Sequence, residues 1–381
     1  MNLDEIFFQE FKTSSEYKYR APARINLIGE HIDYNGGKVL PCAISKYIVA
    51  LVSKRSDNII SISSTEVNKH LELDLNDLNY RKENDWGNYV FGMFHTFINQ
   101  GYKITHGFNI LVSSDIPLAS GLSSSAALLD LIGYIINDIF NFKISNKNIA
   151  LLAQICENKY CGLKSGIMDE AAIALAKENK CMLLDCATFE YEYYDMNLND
   201  YAFVVLKTNK PRKLVESKYN ERVEECTNIL NILNPIYNIK NICQLPVSEL
   251  DKIKGYLAND LLYKRAKHII TENLRVNDFV IALKENNIHL IGKLLNESHN
   301  SLKNDYEVSG FHLDAIVESA LKAGALGSRM TGAGFGGCAI ALIKKNDFST
   351  FKNNVIKEYF NKTKLKPEIF MVDIVKGPEQ I

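Results

Sequence analysis

The chain has 381 residues, 46% of them hydrophobic and 23% charged, with a formal net charge of −1. That length is too great for one ordinary domain and comfortable for two, and the composition is that of a soluble globular protein. The balanced charge leaves no basic field for nucleic acid and no cationic surface for a membrane, and charged residues break every apolar run before spanning length, so neither partner is expected.

The first residues, Met1-Asn2-Leu3-Asp4-Glu5, carry acid where a leader peptide needs base. Eight cysteines, at positions 42, 156, 161, 181, 186, 226, 243 and 338, form no Cys-x-x-Cys pair and sit mostly inside apolar runs. Reduced, largely buried thiols in a cytoplasmic enzyme are the expectation, and a zinc site is not.

Residues 1–20 predict an amphipathic helix and a connector. A short apolar strand over 25–28 ends at Gly29, and Glu30, His31, Asp33 and Tyr34 follow almost at once before Asn35-Gly36-Gly37 closes a turn. Such a density of hydrogen-bonding side chains suits a ligand with many hydroxyls: carboxylates accept from them, and histidine can donate or accept. A polar hairpin loop is the plainer alternative. Strands are predicted over 47–53 and 59–63, and Trp86 opens an apolar run at helical spacing to residue 97.

The stretch 117–127, Pro-Leu-Ala-Ser-Gly-Leu-Ser-Ser-Ser-Ala-Ala, organises the first half. An apolar strand over 108–112 leads into it and an apolar helix over 126–140 leads out. Gly121 lets the backbone approach a ligand, and Ser123, Ser124 and Ser125 stand at the helix start, where hydroxyls cap and free N–H groups point outward. This is an anion site suited to a phosphate chain, the alternative being a merely capped helix. No G-x-x-x-x-G-K-[ST] loop and no protein-kinase signature occur, so a nucleotide would be held by helix-end amides and serines.

A helix is predicted over 148–160, with Glu157 near its C-terminal end, where the helix dipole disfavours a carboxylate. A cationic neighbour such as a metal, or simple solvation, would account for it. Gly162 and Gly166 bracket a loop, and Asp169 starts a small-residue helix, a position at which an N-cap is the simplest reading. Composition changes near residue 200, which divides the chain into 1–200 and 201–381. Charged amphipathic helices fill most of the second part, the first of them carrying Tyr219. Gly332-Ala333-Gly334-Phe335-Gly336-Gly337 matches G-x-G-x-x-G, but a helix precedes it and a strand follows, the reverse of a dinucleotide fingerprint. Its small residues allow the backbone to press against another loop or a nucleotide. A tail strand is predicted over 370–375.

Together these stretches resemble the GHMP kinases, and within them the galactokinase branch. The run from Arg24 to Gly37 looks like that branch's signature, Gly121-Leu122-Ser123-Ser124-Ser125-Ala126 like the family's phosphate loop, Gly166-Ile167-Met168-Asp169 like the segment bearing the catalytic aspartate, and Met330 to Gly337 like the third family motif. The four stand in family order over nearly the whole chain. Departures are small: Ala119-Ser120 for glycine or alanine, Ile32 for threonine, Ser165 for cysteine, Glu170 for glutamine and Ala333 for glycine. Residues 169 and 170 diverge by about a quarter-turn on a helix, so little coupling between their carboxyls is expected.

The resemblance implies an α+β fold of two domains, the first like domain 2 of ribosomal protein S5 and the second ferredoxin-like, with the active site between them and the tail crossing back to the first. It also implies transfer of the ATP γ-phosphoryl group to the anomeric hydroxyl of α-D-galactose. Ala119, Ser120, Gly121, Leu122, Ser123, Ser124 and Ser125 would hold the ATP phosphates. Ser125 and Glu157 would hold Mg²⁺, and Asp169 would accept the hydroxyl proton with Arg24 orienting it. Glu30, His31, Ile32, Asp33 and Tyr219 would meet the sugar. The partners implied are galactose and ATP alone, with a monomer expected. The alternatives are another sugar 1-kinase acting on N-acetylgalactosamine, arabinose or glucuronate, a non-catalytic sugar sensor on the same fold, and an NAD-dependent oxidoreductase using the glycines at 332–337.

Overall fold

The computed structural model describes residues 2–67, 69–117, 120–210 and 215–381, with backbone alone for 215–217. Helix α1 (Leu3–Phe11) starts at a reciprocal cap, in which the Asn2 side chain accepts from the chain ahead and Glu5 reaches back. It lays Phe7 on Leu51 and Leu111. Strands β1 (Tyr17–Asn26), β2 (Lys38–Val39), β3 (Pro41–Lys54), β4 (Ile59–Ser64) and β5 (Leu71–Asp74) follow, then helix α2 (Gly87–Asn99) and strand β6 (Phe108–Ser114). β1 begins eight residues before the predicted apolar run because it pairs antiparallel with β3 from Tyr17↔Val52 to Asn26↔Pro41, and that ladder recruits the polar residues at its start.

Helix α3 (Ser124–Ile139) is buried along most of its length, as its nearly unbroken apolar sequence requires. Helices α4 (Asn146–Ile155) and α5 (Met168–Ala174) pack with it, and strands β7 (Lys180–Asp185) and β8 (Glu190–Asp195) form a hairpin to which β2 adds a third strand. The predicted helix over 148–160 is interrupted. α4 stops at Ile155, and Cys156–Tyr160 continues as one π turn that holds Glu157.

The rest of the chain supplies strand β9 (Tyr201–Lys207), helices α6 (Val215–Tyr237), α7 (Leu250–Leu257), α8 (Asp260–Lys284), α9 (Ile288–Asn304) and α10 (Gly310–Lys322), strands β10 (Gly327–Thr331) and β11 (Cys338–Lys344), helix α11 (Phe348–Thr363), and strands β12 (Glu368–Met371) and β13 (Glu379–Gln380). One sheet runs β13-β1-β3-β6-β4-β5 and another β10-β11-β9-β12. The predicted tail strand ends early, at Met371. The chain then crosses to β3, where Ser45 N–H donates to the Asp373 carbonyl and Val375 N–H to that of Ala43, and β13 joins the free edge of β1 with Arg20 paired to Glu379. Among the described residues no helix is long and apolar enough to cross a membrane, and all eight cysteines are free thiols.

The strand β10 bears Arg329 and Thr331, which reach the site described below, and it is set against α9 through two glycines. A Cβ on Gly327 would overlap the carbonyl oxygen of Gly292. Gly327→Ala is therefore expected to destabilise the fold by about 1–3 kcal/mol through overpacking of backbone against backbone. Urea unfolding of the unliganded protein measures this, and an unchanged midpoint would show that α9 and β10 separate freely.

Candidate active site

A cleft of about 750 Å³ gathers most of the residues singled out in the sequence. Arg24 enters from β1; Glu30, His31 and Asp33 come from the turn after it; Ser120, Gly121, Ser123, Ser124 and Ser125 come from the entry to α3. Glu157, Asp169 and Tyr219 complete the set. Two expected ligands do not reach the cleft. Ile32 and Leu122 point into the core at 0% and 1% exposure, so their place in the motifs is one of packing. Ala119 lies outside the described residues.

Arg24 and Asp169 form the centre. The guanidinium donates from Nε to Oδ1 at 2.8 Å and from Nη2 to Oδ2 at 2.6 Å, the planar two-bond geometry that only arginine offers a carboxylate. Its remaining Nη1 donates to the Gly121 carbonyl at 2.9 Å. The N-cap reading of Asp169 is not realised: the cap of α5 is Ile167, and the Asp169 carboxylate turns to Arg24. Nor does Ser123 cap α3 with its side chain. Its backbone is left-handed, at φ +59°, and its hydroxyl donates to Asp169 Oδ2. A residue expected at the phosphates is thus spent, in its hydroxyl, on the carboxylate.

The polar turn after β1 is held from behind. Glu30 is almost fully buried, and its Oε1 accepts from Gly332 N–H at 2.8 Å and lies 2.9 Å from Arg329 Nη2, while Oε2 accepts from Asn26 Nδ2 at 3.2 Å. Two hydrogen bonds and the Arg329 ion pair leave the carboxylate able to accept a further donor. Asp33 sits against Gly166, where a Cβ would overlap its Oδ2. Burial, and then the nearby Asp169 charge, push the Asp33 carboxyl up to about 7. His31 has both ring nitrogens engaged, Nδ1 with Tyr34 Oη at 2.9 Å and Nε2 with the Ala333 carbonyl at 3.2 Å, and burial drives its pKa down to about 3. The imidazole is therefore neutral and already fully partnered. Its ring lines the cleft with both nitrogens already engaged.

The π turn at the end of α4 turns Glu157 toward the cleft. Such turns re-aim side chains at functional sites. Its Oε2 accepts from Ser165 Oγ, and the Ser125 hydroxyl also bonds it. Burial raises its pKa and, more strongly, those of Asp130 and Glu170 beside it. Glu170 is fully buried while Asp169 faces the cleft, as their spacing on a helix requires. The coupling that this spacing argued against is nonetheless present: after burial, the charges of Glu157 and Asp169 raise Glu170 further. Among the described residues no group of three or more His, Cys, Asp or Glu surrounds a cation position. One hydroxyl and one carboxylate facing a phosphate loop still suit Mg²⁺, which keeps water and phosphate oxygens as its other ligands.

Three stretches match family models: the galactokinase galactose-binding signature over residues 5–54, the GHMP kinases N terminal domain over 88–177 and the GHMP kinases C terminal over 279–362. A galactokinase of Clostridium beijerinckii is 43% identical over 382 residues, covering 100% of this chain and 98% of that protein. The chain belongs to the galactokinase family. A galactokinase of Staphylococcus carnosus is 41% identical across 97% of this chain and 96% of its own length. The crystal structure of Lactococcus lactis galactokinase complexed with galactose superposes with a TM-score of 0.97 at 40% identity, covering 100% and 99% of the two chains. Methanococcus jannaschii mevalonate kinase, 22% identical with a TM-score of 0.68 over 96% of this chain and all of its own, shares the fold. Both the GHMP kinase fold and membership of an ATP-dependent sugar kinase family are therefore established for this chain.

This galactokinase-family site also contains residues that were not among the expected ligands. Tyr89, Ser165, Gly166, Gly332 and Ala333 line the cleft. Gly332 shows what the third motif does: a Cβ there would come within 2.6 Å of the Gly121 carbonyl oxygen, so the glycines press on the phosphate loop. That is the loop-against-loop alternative read from the small residues. Arg329 is fully buried on β10, and its Nη1 donates to the Asn26 carbonyl at 3.2 Å. No feature of the surrounding sequence marks it.

The Arg24–Asp169 pair carries a stability expectation. Arg24 is buried and Asp169 about one-third exposed, so removing the charge of Asp169 leaves a buried cation poorly compensated. Asp169→Asn is expected to cost about 1–2 kcal/mol, and Arg24→Met with Asp169→Asn to cost clearly less than the two single changes added. Equilibrium urea unfolding of the four unliganded proteins measures the coupling. Additive losses would show that the pair is solvated and energetically idle.

Proposed function

We propose that this kinase catalyses ATP + α-D-galactose → ADP + α-D-galactose 1-phosphate, the entry step of galactose catabolism. The observation that carries the proposal is the position of the Asp169 carboxylate. It is gripped by Arg24 in the same cleft as the polar turn 30–34 and the serine-rich start of α3. Phosphoryl transfer depends on alignment and charge neutralisation more than on covalent chemistry. Ser120, Gly121, Ser124 and Ser125, at the N-terminus of α3, are suited to cradle the phosphates. Ser125 and Glu157 would hold Mg²⁺, which when bound offsets the charge of the phosphate chain.

Asp169 would receive the anomeric hydroxyl proton. Its bonds from Arg24 and Ser123 fix the carboxylate plane before the sugar arrives. Because the transition state is loose, orientation of the hydroxyl contributes at least as much as early proton removal. Arg24 also brings positive charge to the transferring group. Glu30, Asp33 and Tyr219 are the side chains suited to the sugar hydroxyls. The similarity to a galactokinase solved with galactose supports that sugar over the N-acetylated, pentose and uronic acid alternatives.

A site built to pair a hydroxyl rejects its epimer, because buried partners are left unpaired. In a coupled ADP-release assay over a sugar panel, galactose is expected to be the preferred acceptor and glucose a poor one. Asp33→Ala is expected to lower kcat/KM for galactose at least about tenfold. Equal kcat/KM for glucose and galactose in the unmodified protein would overturn the assignment.

Loss of the carboxylate at 169 is the sharper test of mechanism. General-base contributions are about 10² to 10⁴ in rate. Asp169→Asn, still folded at assay temperature, should bind ATP and transfer at least about a hundredfold more slowly in a single turnover with both ligands saturating. Transfer at an undiminished rate would remove Asp169 from the mechanism.

A further inference from the structure

We infer that Tyr306 is a positioning residue for the sugar pocket, acting through a one-way chain of hydrogen bonds that ends on the ring of His31. The inference rests on the assignment of the sugar site given above. Tyr306 lies between α9 and α10, is not itself part of the cleft lining and is fully buried. Its hydroxyl is 2.8 Å from that of Tyr34 and 3.1 Å from the Cys226 sulfur. Tyr34 in turn meets His31 Nδ1 at 2.9 Å, and His31 Nε2 meets the Ala333 carbonyl at 3.2 Å.

The direction of every link follows from the last one. A carbonyl only accepts, so His31 Nε2 carries the ring proton. The ring is neutral in its buried site, so Nδ1 is a bare acceptor. Tyr34 has one proton and must give it to Nδ1. Tyr306 must then give its own to the Tyr34 oxygen, and the Cys226 thiol donates to Tyr306. The Asn35 amide closes the circuit, donating to the Cys226 sulfur at 3.6 Å and to the His31 carbonyl at 3.0 Å. Five side chains thus share one proton order, which starts and ends in the turn that carries the sugar ligands.

The chain reaches the sugar through ring packing. Tyr219 rests on Tyr34 and His31, with ring centres 5.4 and 5.8 Å away. Tyr306 itself packs against His31 at 5.0 Å and His268 at 4.6 Å. The orientation of the Tyr219 hydroxyl is therefore set by two rings whose own orientation Tyr306 fixes. The Tyr306 backbone is held independently, its carbonyl accepting from Arg222 Nε at 3.0 Å and that of Asp305 from Arg265 Nη1 at 2.7 Å. Removing one hydroxyl should leave the segment in place.

Steady-state kinetics with galactose and ATP varied separately test this. Tyr306→Phe keeps the ring and deletes the central link. It is expected to raise the galactose KM about five- to tenfold, the loss that one buried hydrogen bond brings, while the ATP KM and kcat stay within twofold. Cys226→Ala should raise the galactose KM in the same direction by less, and Cys226→Ser, which restores a donor, should recover part of that rise. If Tyr306→Phe does not fold, the Cys226 pair decides alone. A galactose KM within twofold of the parent in Tyr306→Phe overturns the inference, as does an equal KM in the two Cys226 variants or a parallel rise in both substrate KM values. Tyr219→Phe separates the two levels. Should it also leave the galactose KM unchanged, the sugar-site assignment has failed, whereas a rise there with none in Tyr306→Phe removes the positioning role only.

Discussion

One guanidinium ties together stretches of chain that are far apart in sequence. Arg24 binds the Asp169 carboxylate through two bonds and the Gly121 carbonyl through a third, so β1, the phosphate loop and the start of α5 converge on a single side chain. Burying a cation costs least where a counter-charge is close and its N–H groups find acceptors. The requirement acts in both directions. Arg24 fixes the carboxylate plane, and the carboxylate fixes which part of the loop can stand over the cleft. Glu30 plays the mirror role in the turn after β1, a buried anion met by Arg329, Gly332 N–H and Asn26. Between them the two charges join the galactokinase signature to the other three motifs.

These charge contacts need close backbone approach, and glycine provides it. Gly332 lies against the Gly121 carbonyl, and Gly166 against the Asp33 carboxylate, at distances a side chain would block. Both glycines belong to motifs of the family, yet neither acts on a ligand through a side chain of its own. Their contribution is to bring other groups within hydrogen-bond range. Gly332 also has φ +79°, a conformation that side chains rarely adopt.

The sequence revealed the site better than its wiring. Arg24, Glu30, Asp33, the serines, Glu157 and Asp169 were legible as cleft residues because polar groups in or beside short turns between apolar elements are not accounted for by packing. Ile32 and Leu122 went the other way. They sit inside motifs, but motif membership does not separate a ligand contact from a core contact, and an apolar side chain there was always more simply explained by burial. Asp169 was ambiguous because a carboxylate at a helix start is equally a cap and an acid, and only the position of Arg24 decides between them. The helix over 148–160 was legible as helix, but periodicity does not encode its change to a π turn at Cys156–Tyr160 or the contacts that Glu157 makes there. Arg329 and Tyr306 left no signal at all. Each is a polar residue in an otherwise ordinary element, and its meaning comes wholly from a partner some three hundred residues away.

The balance of charge in the cleft bears on how a nucleotide is held. Among the described residues lining it, Arg24 is the one permanent cation, against the carboxyls of Glu30, Asp33, Glu157 and Asp169. Arg24 is already committed to Asp169, and the His31 ring is neutral. A polyanion entering this space meets the amides of the α3 N-terminus as its attraction and several carboxylates as its repulsion. The helix end alone contributes a fraction of a charge. Burial lowers the repulsion by raising Asp33 and Glu157 toward their neutral forms, but it supplies no positive charge. A divalent cation taken up by Glu157 and Ser125 would reverse the sign of the field where the phosphates must sit. It would also favour the ionised form of Glu157, so that the carboxylate made costly by burial would gain a compensating charge.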